Sequence, residues 1–185
     1  MNQQKWWGNS NQLESMTMKR LTVSLVIFVI LVVPVSLAVD ATGNLSVSAT
    51  VAANCRVNSG ALNFNTYDPG GVNASTPLQR SGSFRVTCTN GTPGTVMLSQ
   101  GNNPTGGSSD ASPLRRMEGD PGIYLRYDIY QDVGYTTVWG NTTGTAEAVI
   151  GTGGQSFLTV YGRVLPGQIV PPGTYSDTVT VTVSF

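Results

Sequence analysis

The chain contains no histidine and only two cysteines, and just 11% of its 185 residues are charged. Without histidine, it lacks the usual general base for a serine or cysteine nucleophile and the commonest neutral metal ligand. The carboxylates Glu118, Asp120, Asp128 and Asp132 lie in a Gly/Pro loop or at a predicted strand and are interpreted as solvated side chains, not a catalytic dyad. We therefore predict no enzyme activity, no cofactor, no metal site and no small-molecule substrate.

Lysine is absent beyond Lys19, and from Val39 to Phe185 seven arginines stand against nine aspartates and glutamates, a net charge of −2. Nucleic-acid-binding proteins concentrate Lys and Arg on one face, so this balance gives no indication of a nucleic-acid partner. Long stretches with apolar residues at helical spacing are also missing. Ser, Thr, Gly and Val dominate instead, which is an all-β composition.

The N-terminal segment has the three parts of a secretory signal peptide. Basic residues 19–20 precede the apolar run 21–33, and small residues stand at Ser36 and Ala38. This order predicts cleavage after Ala38. Cleavage after Ala41 is the second choice, and an uncleaved membrane anchor is the rival interpretation because the apolar stretch is nearly long enough to span a bilayer.

The chain accordingly divides into three parts. Residues 1–38 are the predicted signal peptide, whose long polar beginning suggests that translation starts at Met16 or Met18. Residues 39–52 are a predicted N-terminal extension, and residues 53–185 are a single domain. That length suffices for an independent hydrophobic core.

Cys55 and Cys88 are the only cysteines. An even count in an exported chain predicts one disulfide. A redox or metal-binding pair is the alternative, and the absence of a CxxC motif and of histidine disfavours it.

Two segments near the ends of the chain share one pattern, in which every second residue is apolar. This period of two indicates β-strands with one wet face and one apolar face. A strand that stays amphipathic to the last residue is either buried in its own sheet or pairs with another chain. The pattern suggests strand exchange between copies, and the apolar positions are Leu45, Val47, Ala49 and Val51 in the first segment and Val179, Val181, Val183 and Phe185 in the second.

Further short strands occur between turn residues. In Ser83–Thr89, for example, Phe84, Val86 and Cys88 alternate with polar residues. Six or seven such strands predict an antiparallel β-sandwich. Besides Ser83–Thr89, the predicted strands of the domain are Cys55–Val57, Leu62–Phe64, Thr95–Ser99, Ile123–Tyr130, Phe157–Val164 and Thr174–Phe185, with a short β-piece near Leu114–Met117 and turns at Asn90-Gly91 and Pro93-Gly94.

Five aromatic residues permit two interpretations. They are either a sugar-binding platform or residues that fill the core and pair across strands, and the second is favoured for a sandwich. The residues are Tyr124, Tyr127, Tyr130, Trp139 and Tyr161.

Several blocks of sequence resemble the spore coat protein U domain family, which includes subunits of archaic (Csu-type) chaperone–usher pili. They are Ile123–Asp132, Val138–Gly140, Leu158–Arg163, Pro166–Gln168 and Pro172–Phe185. The resemblance implies an incomplete immunoglobulin-like antiparallel β-sandwich that is completed by donor-strand exchange. It also implies that the Cys55–Cys88 bridge matches the pilin disulfide.

The same resemblance implies roles for the two terminal segments. Leu45, Val47, Ala49 and Val51 would be the donor-strand anchors. Thr178–Phe185, with Val179, Val181, Val183 and Phe185, would form the edge of a groove and bind the chaperone.

The implied partners are a periplasmic chaperone, an outer-membrane usher and neighbouring pilin subunits, and the implied location is a surface pilus that acts in adhesion and biofilm formation. A spore coat or extracellular-matrix protein of the same family, or a carbohydrate-binding adhesin module, are the alternatives.

Overall fold

The computed structural model describes residues 36–185, which divide into two units, residues 36–47 and Ser48–Phe185. Residues 36–54 have no regular secondary structure and are exposed throughout. The predicted signal peptide, residues 1–38, lies outside the described residues except for its last three positions, among them the predicted cleavage residue Ala38. Within residues 36–185, none of the helices is long and apolar enough to cross a membrane.

The regular secondary structure of the second unit consists of β-strands and two single-turn 3-10 helices at Val72–Ala74 and Thr143–Thr145. The strands are β1 Cys55–Ala61, β2 Leu78–Cys88, β3 Pro93–Leu98, β4 Arg115–Glu118, β5 Tyr124–Tyr130, β6 Glu147–Ile150, β7 Gln155–Val164 and β8 Val181–Ser184.

These strands form two antiparallel sheets. The larger has the order β1-β2-β7-β5-β4 and the smaller the order β6-β3-β8. Consecutive strands often lie in different sheets, as β3 and β4 do, so the two sheets are held together by one continuous chain. The prediction of an all-β antiparallel sandwich is confirmed.

The core lies between the sheets and follows the predicted alternation. Phe84, Val86 and Cys88 of β2 are buried, and so are Leu125, Tyr127 and Ile129 of β5. Trp139 is 1% exposed and packs near Phe84 at 5.8 Å between ring centroids. Its indole N–H donates to the Val96 carbonyl of β3 at 2.9 Å, so the largest core residue also satisfies its only polar atom.

Two segments differ from the prediction. Pro93 and Gly94, predicted to form a turn, begin β3 instead. A strand tolerates proline as its first residue, because the missing N–H interrupts no interior hydrogen bond. Leu62–Phe64 is not a strand, since β1 ends at Ala61 after an irregular register between Asn58 and Ala61, although Phe64 remains buried.

The smaller sheet accounts for the other differences. Strand β6 was not predicted, because four residues are too few to show a recognisable alternation of apolar and polar side chains. Only the last part of the predicted strand Thr174–Phe185 forms a strand, because β8 comprises Val181–Ser184 and pairs with β3 there. Ser176 instead forms a bridge with Glu118 of the larger sheet. The C-terminal segment therefore passes from one sheet to the other before β8 begins.

The disulfide prediction is confirmed. Cys55 is the first residue of β1 and Cys88 the last of β2, and their sulfur atoms are 2.02 Å apart. The two residues are direct cross-strand partners. The bridge thus fixes the register at which the edge strand β1 attaches to the larger sheet.

Replacing Cys88 by Ala should destabilise the domain by about 2–5 kcal/mol, because the bridge closes a loop of 33 residues that the unfolded chain would otherwise leave open. Urea unfolding of the variant and of the wild-type protein, with and without reductant, measures this difference. Peptide mapping without reduction should show Cys55 linked to Cys88. Alkylation of both cysteines in the unreduced secreted protein would contradict the prediction.

Candidate strand-binding groove

An open cleft of about 630 Å³ separates β1 from the chain between Tyr175 and Val181, and we call it the inter-sheet groove. It lies where an edge of the larger sheet faces an edge of the smaller one. Its residues are Val57–Leu62, Phe64, Ser83, Phe84, Leu98, Met117, Tyr127, Ile129, Val160, Tyr175–Val179 and Val181.

One wall of the groove is the free edge of β1, and the other is the chain from Tyr175 to Val181, of which Val181 alone belongs to β8. β1 pairs only with β2, and β8 pairs only with β3. In the part of the chain that the structure describes, no strand pairs with the other edge of β1 or of β8. An open edge presents unpaired backbone N–H and C=O groups, which can bind an added strand.

The floor of the groove is apolar. Most of its side chains belong to the core, so the groove opens directly onto the space between the two sheets. A guest strand with apolar side chains at every second position could bury them against this floor and point its polar side chains to solvent. The buried floor residues are Phe64, Phe84, Leu98, Tyr127, Ile129 and Val160.

The C-terminal strand has the predicted two faces. Val179, Val181 and Val183 are half-buried and pack against the core, whereas the threonines between them are exposed. Val179 and Val181 line the inter-sheet groove, and Val183 does not. Phe185 follows the end of β8, is 59% exposed and is not among the groove residues. The structure therefore brings two of the four predicted groove-edge residues to the groove.

The predicted donor segment forms no strand in the structure. Leu45 and Val47, in the unit of residues 36–47, are 87% and 85% exposed. Ala49 is exposed, and Val51 is 82% exposed, in the second unit. The large apolar side chains of Leu45, Val47 and Val51 thus have no packing partners. The exposure of each costs roughly 1.5–3 kcal/mol of free energy relative to full burial.

Hydrogen bonds hold the chain just before β1. The backbone N–H of Thr89 donates to the Asn54 carbonyl at 2.9 Å, and the Asn54 N–H donates to the Thr89 hydroxyl at 3.2 Å. These bonds extend the β1–β2 pairing by one residue beyond Cys55. The groove lies along the other end of β1, at Val57–Leu62.

Comparison with known proteins decides the family. The model of the Spore Coat Protein U domain matches residues 41–182, which is most of the chain and extends from before β1 to the second residue of β8. The chain belongs to the spore coat protein U domain family.

A relative in sequence and solved structures are also similar to this chain. "Protein U" of Myxococcus xanthus is 44% identical over 155 residues, which cover 80% of this chain and 87% of that protein. A chain in the crystal structure of the CsuC–CsuE chaperone–tip adhesion subunit pre-assembly complex, from archaic chaperone-usher Csu pili of Acinetobacter baumannii, is 27% identical with a TM-score of 0.51.

That alignment covers 74% of this chain and 40% of the Csu chain, so this protein spans two fifths of the Csu chain's length. A structure of a chaperone–usher pilus matches with 13% identity and a TM-score of 0.44, over 80% of this chain and 98% of that one. The immunoglobulin-like character of the sandwich agrees with the Csu match.

A polar network lies beneath one end of the groove of this spore coat protein U domain. The Tyr127 hydroxyl donates to Asp177 Oδ2 at 2.7 Å, while Asp177 Oδ1 accepts from the backbone N–H groups of Asn102 and Thr178, each at 2.8 Å. A Cβ at Gly101, whose φ is +80°, would overlap the Asp177 carboxylate. Asp177 thereby fixes the loop after β3 to the groove wall.

Arg115 completes this end of the core. It is 1% exposed, and its guanidinium donates to three carbonyls, those of Leu98, Ser99 and Trp139, at 2.8 to 3.0 Å. Desolvation lowers its pKa to about 10, although Asp128 and Asp177 act in the opposite direction. The side chain therefore stays charged at neutral pH. Nothing in the sequence distinguishes this arginine, whereas Asp177 lies within the C-terminal block that carries the family resemblance.

Tyr127→Phe should destabilise the domain by roughly 1.5–3 kcal/mol, because a buried hydrogen bond to a charged group is lost. Burial, followed by the charge of Asp177, raises the pKa of Tyr127 above its ordinary value. A raised folded-state pKa means that this stability is present below about pH 10 and is lost as the pH rises further. Urea unfolding at pH 7 and above pH 10 should show the variant and the wild type converging.

Tyr124→Phe is the matched control, since Tyr124 lies on the same strand but on its outer face. It should change the free energy of unfolding by less than about 0.5 kcal/mol. Equal losses for the two variants would show that the bond to Asp177 contributes nothing specific.

The aromatic residues and carboxylates considered in the sequence analysis take part in packing and loop structure. Tyr127, Tyr130 and Trp139 are buried, as the core interpretation requires, while Tyr124 and Tyr161 are only half-buried. The carboxylate of Asp132 accepts hydrogen bonds from the backbone of Thr137 and Thr136, which lowers its pKa and organises the loop after β5. Among residues 36–185, no three acidic or sulfur side chains are grouped as a metal site.

Proposed function

We propose that this protein is a structural, self-assembling subunit of a secreted surface pilus of the archaic chaperone–usher type. The observation that carries the proposal is the inter-sheet groove, which lies between the open edge of β1 and the chain that leads into β8 and has an apolar floor, in a chain that also holds an uncovered amphipathic segment before β1. Residues 44–51 of one subunit insert into the groove of the next, and the sandwich is thereby completed. The role is mechanical and involves no catalysis.

The donor segment has the length and alternation of an ordinary β-strand. An extended segment of eight residues spans roughly 26 Å at about 3.3 Å per residue. Its side chains alternate with the period that a sheet requires, so Leu45, Val47, Ala49 and Val51 all face the floor together. Burial of the three larger side chains contributes roughly 1.5–3 kcal/mol each, and backbone pairing with β1 and β8 adds to this.

The chain's own groove is a poor acceptor for this segment. Asn54 is fixed to Thr89 in a continuation of the β1–β2 ladder, so the chain approaches β1 from the end that carries Cys55. The groove lies along Val57–Leu62, toward the opposite end. To reach it, residues 45–51 would have to reverse direction within Ala52 and Ala53, which lack the glycine, asparagine or aspartate that a two-residue hairpin turn favours. Insertion into a neighbouring copy requires no such turn.

A groove of this kind must be covered before assembly, because an open apolar edge promotes aggregation. We propose that a periplasmic chaperone first occupies it beside Val179 and Val181, and that an outer-membrane usher exchanges the chaperone for the donor segment of the next subunit. The resemblance to archaic pilins and the likeness to a chain of the CsuC–CsuE chaperone–subunit complex support this order. The finished fibre lies at the cell surface, where it acts in adhesion and biofilm formation.

A second candidate is a coat or extracellular-matrix protein that assembles through the same groove. The description of the matching family model as the Spore Coat Protein U domain favours it, and Protein U of Myxococcus xanthus is more similar to this chain in sequence than the Csu chain is. The strand exchange would be the same in both cases, and only the shape of the product would differ.

Immunogold electron microscopy of cells that secrete the full-length protein distinguishes the two candidates. The pilus proposal predicts label along thin fibres, and copurification of the periplasmic form with one chaperone. Label spread evenly over a continuous surface layer would support the coat instead. A soluble secreted monomer with neither structure would contradict both.

A further inference from the structure

The arginines of the domain are concentrated in one sheet. All seven arginines from Val39 onward lie on strands of the larger sheet, and the chain has no lysine in this part. None lies in the smaller sheet or in a loop. The net charge of −2 therefore hides an uneven distribution, in which the acidic residues are mostly elsewhere. The arginines are Arg56, Arg80, Arg85, Arg115, Arg116, Arg126 and Arg163.

Five of these arginines point away from the core. The antiparallel register places Arg56 beside Thr87, Arg116 opposite Arg126, and Arg163 opposite Asp128 on the outer face of the larger sheet, and Arg85 lies on the same face. Only two carboxylates, Glu118 and Asp128, lie on strands at this face. The outer face of the larger sheet thus carries an excess of positive charge.

The pair Arg116 and Arg126 is the most informative feature of this face. Like charges directly opposite each other on neighbouring strands are destabilising. The guanidinium of Arg116 donates to the carbonyls of Asn103 and Pro104, but that of Arg126 is exposed and has no hydrogen-bond or ion-pair partner among residues 36–185. An anion between the two side chains would remove their repulsion.

Three arginines of this face lie over aromatic rings. Arg116 is 3.9 Å from the centre of the Tyr124 ring, Arg163 is 4.7 Å from that of Tyr130, and Arg85 is 5.8 Å from that of Phe157. A guanidinium stacked on a ring can still donate N–H bonds at its edge, as Arg116 does to the loop carbonyls and Arg85 Nη1 does to Gln155 Oε1 at 3.2 Å. Phe157 is 69% exposed on the central strand β7, where an apolar ring has no structural partner on its solvent side.

We propose that the outer face of the larger sheet binds an acidic polysaccharide, a polymer of sugars that carry carboxylate groups. Its carboxylates bind arginine N–H groups that have no partner in the protein, above all those of exposed Arg126 beside Arg116, and the C–H faces of its sugar rings stack on Phe157 and Tyr161. Sugar hydroxyls donate to Glu118 and Asp128, which the phosphate backbone of a nucleic acid cannot do. The two carboxylates therefore favour a polysaccharide over a nucleic acid.

This face is separate from the inter-sheet groove, so the inference does not rest on strand exchange. The test measures binding of the secreted full-length mature protein, in whatever assembly state it is secreted, to polygalacturonate, with dextran as the neutral polymer. Arg126→Gln and Arg85→Gln should each weaken binding to polygalacturonate roughly tenfold. Binding should also weaken as salt is raised, since the interaction is largely between charges.

Arg80→Gln is the matched control, because Arg80 is exposed on β2 but lies on the opposite face, across from Gly162. It should leave the affinity within about twofold. Phe157→Ser should weaken binding by a factor that salt does not change. Equal losses for Arg80→Gln and Arg126→Gln, equal binding to dextran, or tighter binding to duplex DNA than to polygalacturonate would each overturn the proposal.

Discussion

Val47→Asp is expected to abolish fibre formation, whereas secretion into the periplasm continues. In the proposed assembly Val47 lies against the apolar floor of a neighbour's inter-sheet groove, so the substitution would bury an unpaired carboxylate. Such burial is prohibitive in an apolar site without a partner. The change does not touch the groove of the mutated subunit itself, so a chaperone should still bind it. Electron microscopy of the cell surface and the amount of periplasmic chaperone complex measure the two effects.

Ser48→Asp is the matched control for this prediction. Ser48 is the next residue along the same segment, and its side chain would face solvent when Val47 faces the groove. It adds the same charge to the same extended stretch and should leave the fibre yield nearly unchanged. If both variants give the same yield, residues 44–51 are an ordinary linker and the proposed donor role is wrong.

A copy of residues 42–53 placed after Phe185 should convert the protein into a stable monomer. Phe185 follows β8 directly, so a short Asn-Gly turn would bring the added segment back antiparallel to β8 and into the groove. Each of the three larger anchors then contributes about 1.5–3 kcal/mol of apolar burial. Together these contributions are as large as the whole stability of many small domains. Thermal unfolding and sedimentation should show a large rise in melting temperature and loss of polymers.

The added segment needs its own control, in which its copy of Val47 is replaced by Asp. That protein should be no more stable than the unmodified domain, and removal of residues 39–52 alone should leave a domain that aggregates without a chaperone. A soluble, cooperatively unfolding monomer after that removal would show that the sandwich is already complete.

Most of the fold was predictable because alternation is a local signal. Phe84, Val86 and Cys88 in β2, and Leu125, Tyr127 and Ile129 in β5, are buried as their period of two requires. The sequence failed where strands are short or change partners, as in β6, or where the chain crosses between sheets, as at Ser176. Those features depend on which strands meet, and no local pattern records that.

The site was predicted in part. The two faces at Val179 and Val181 follow from alternation, but the groove exists only because β1 of the larger sheet lies opposite the chain that leads into β8 of the smaller sheet. Likewise, Arg115 is buried because three backbone carbonyls converge on its guanidinium, and no local sequence pattern predicts that convergence. The concentration of arginines on one face could not be predicted either, since the net charge of a chain says nothing about where its charged residues lie in the fold.

A cryo-electron microscopy map of the secreted fibre, at a resolution that traces the backbone through residues 44–55, tests the strand-exchange account most directly. We expect a strand in the groove between β1 and β8, with Leu45, Val47, Ala49 and Val51 against the floor, that continues into Cys55 of the neighbouring subunit. A groove filled by the subunit's own residues 44–51, or a groove left empty in the fibre, would contradict the account.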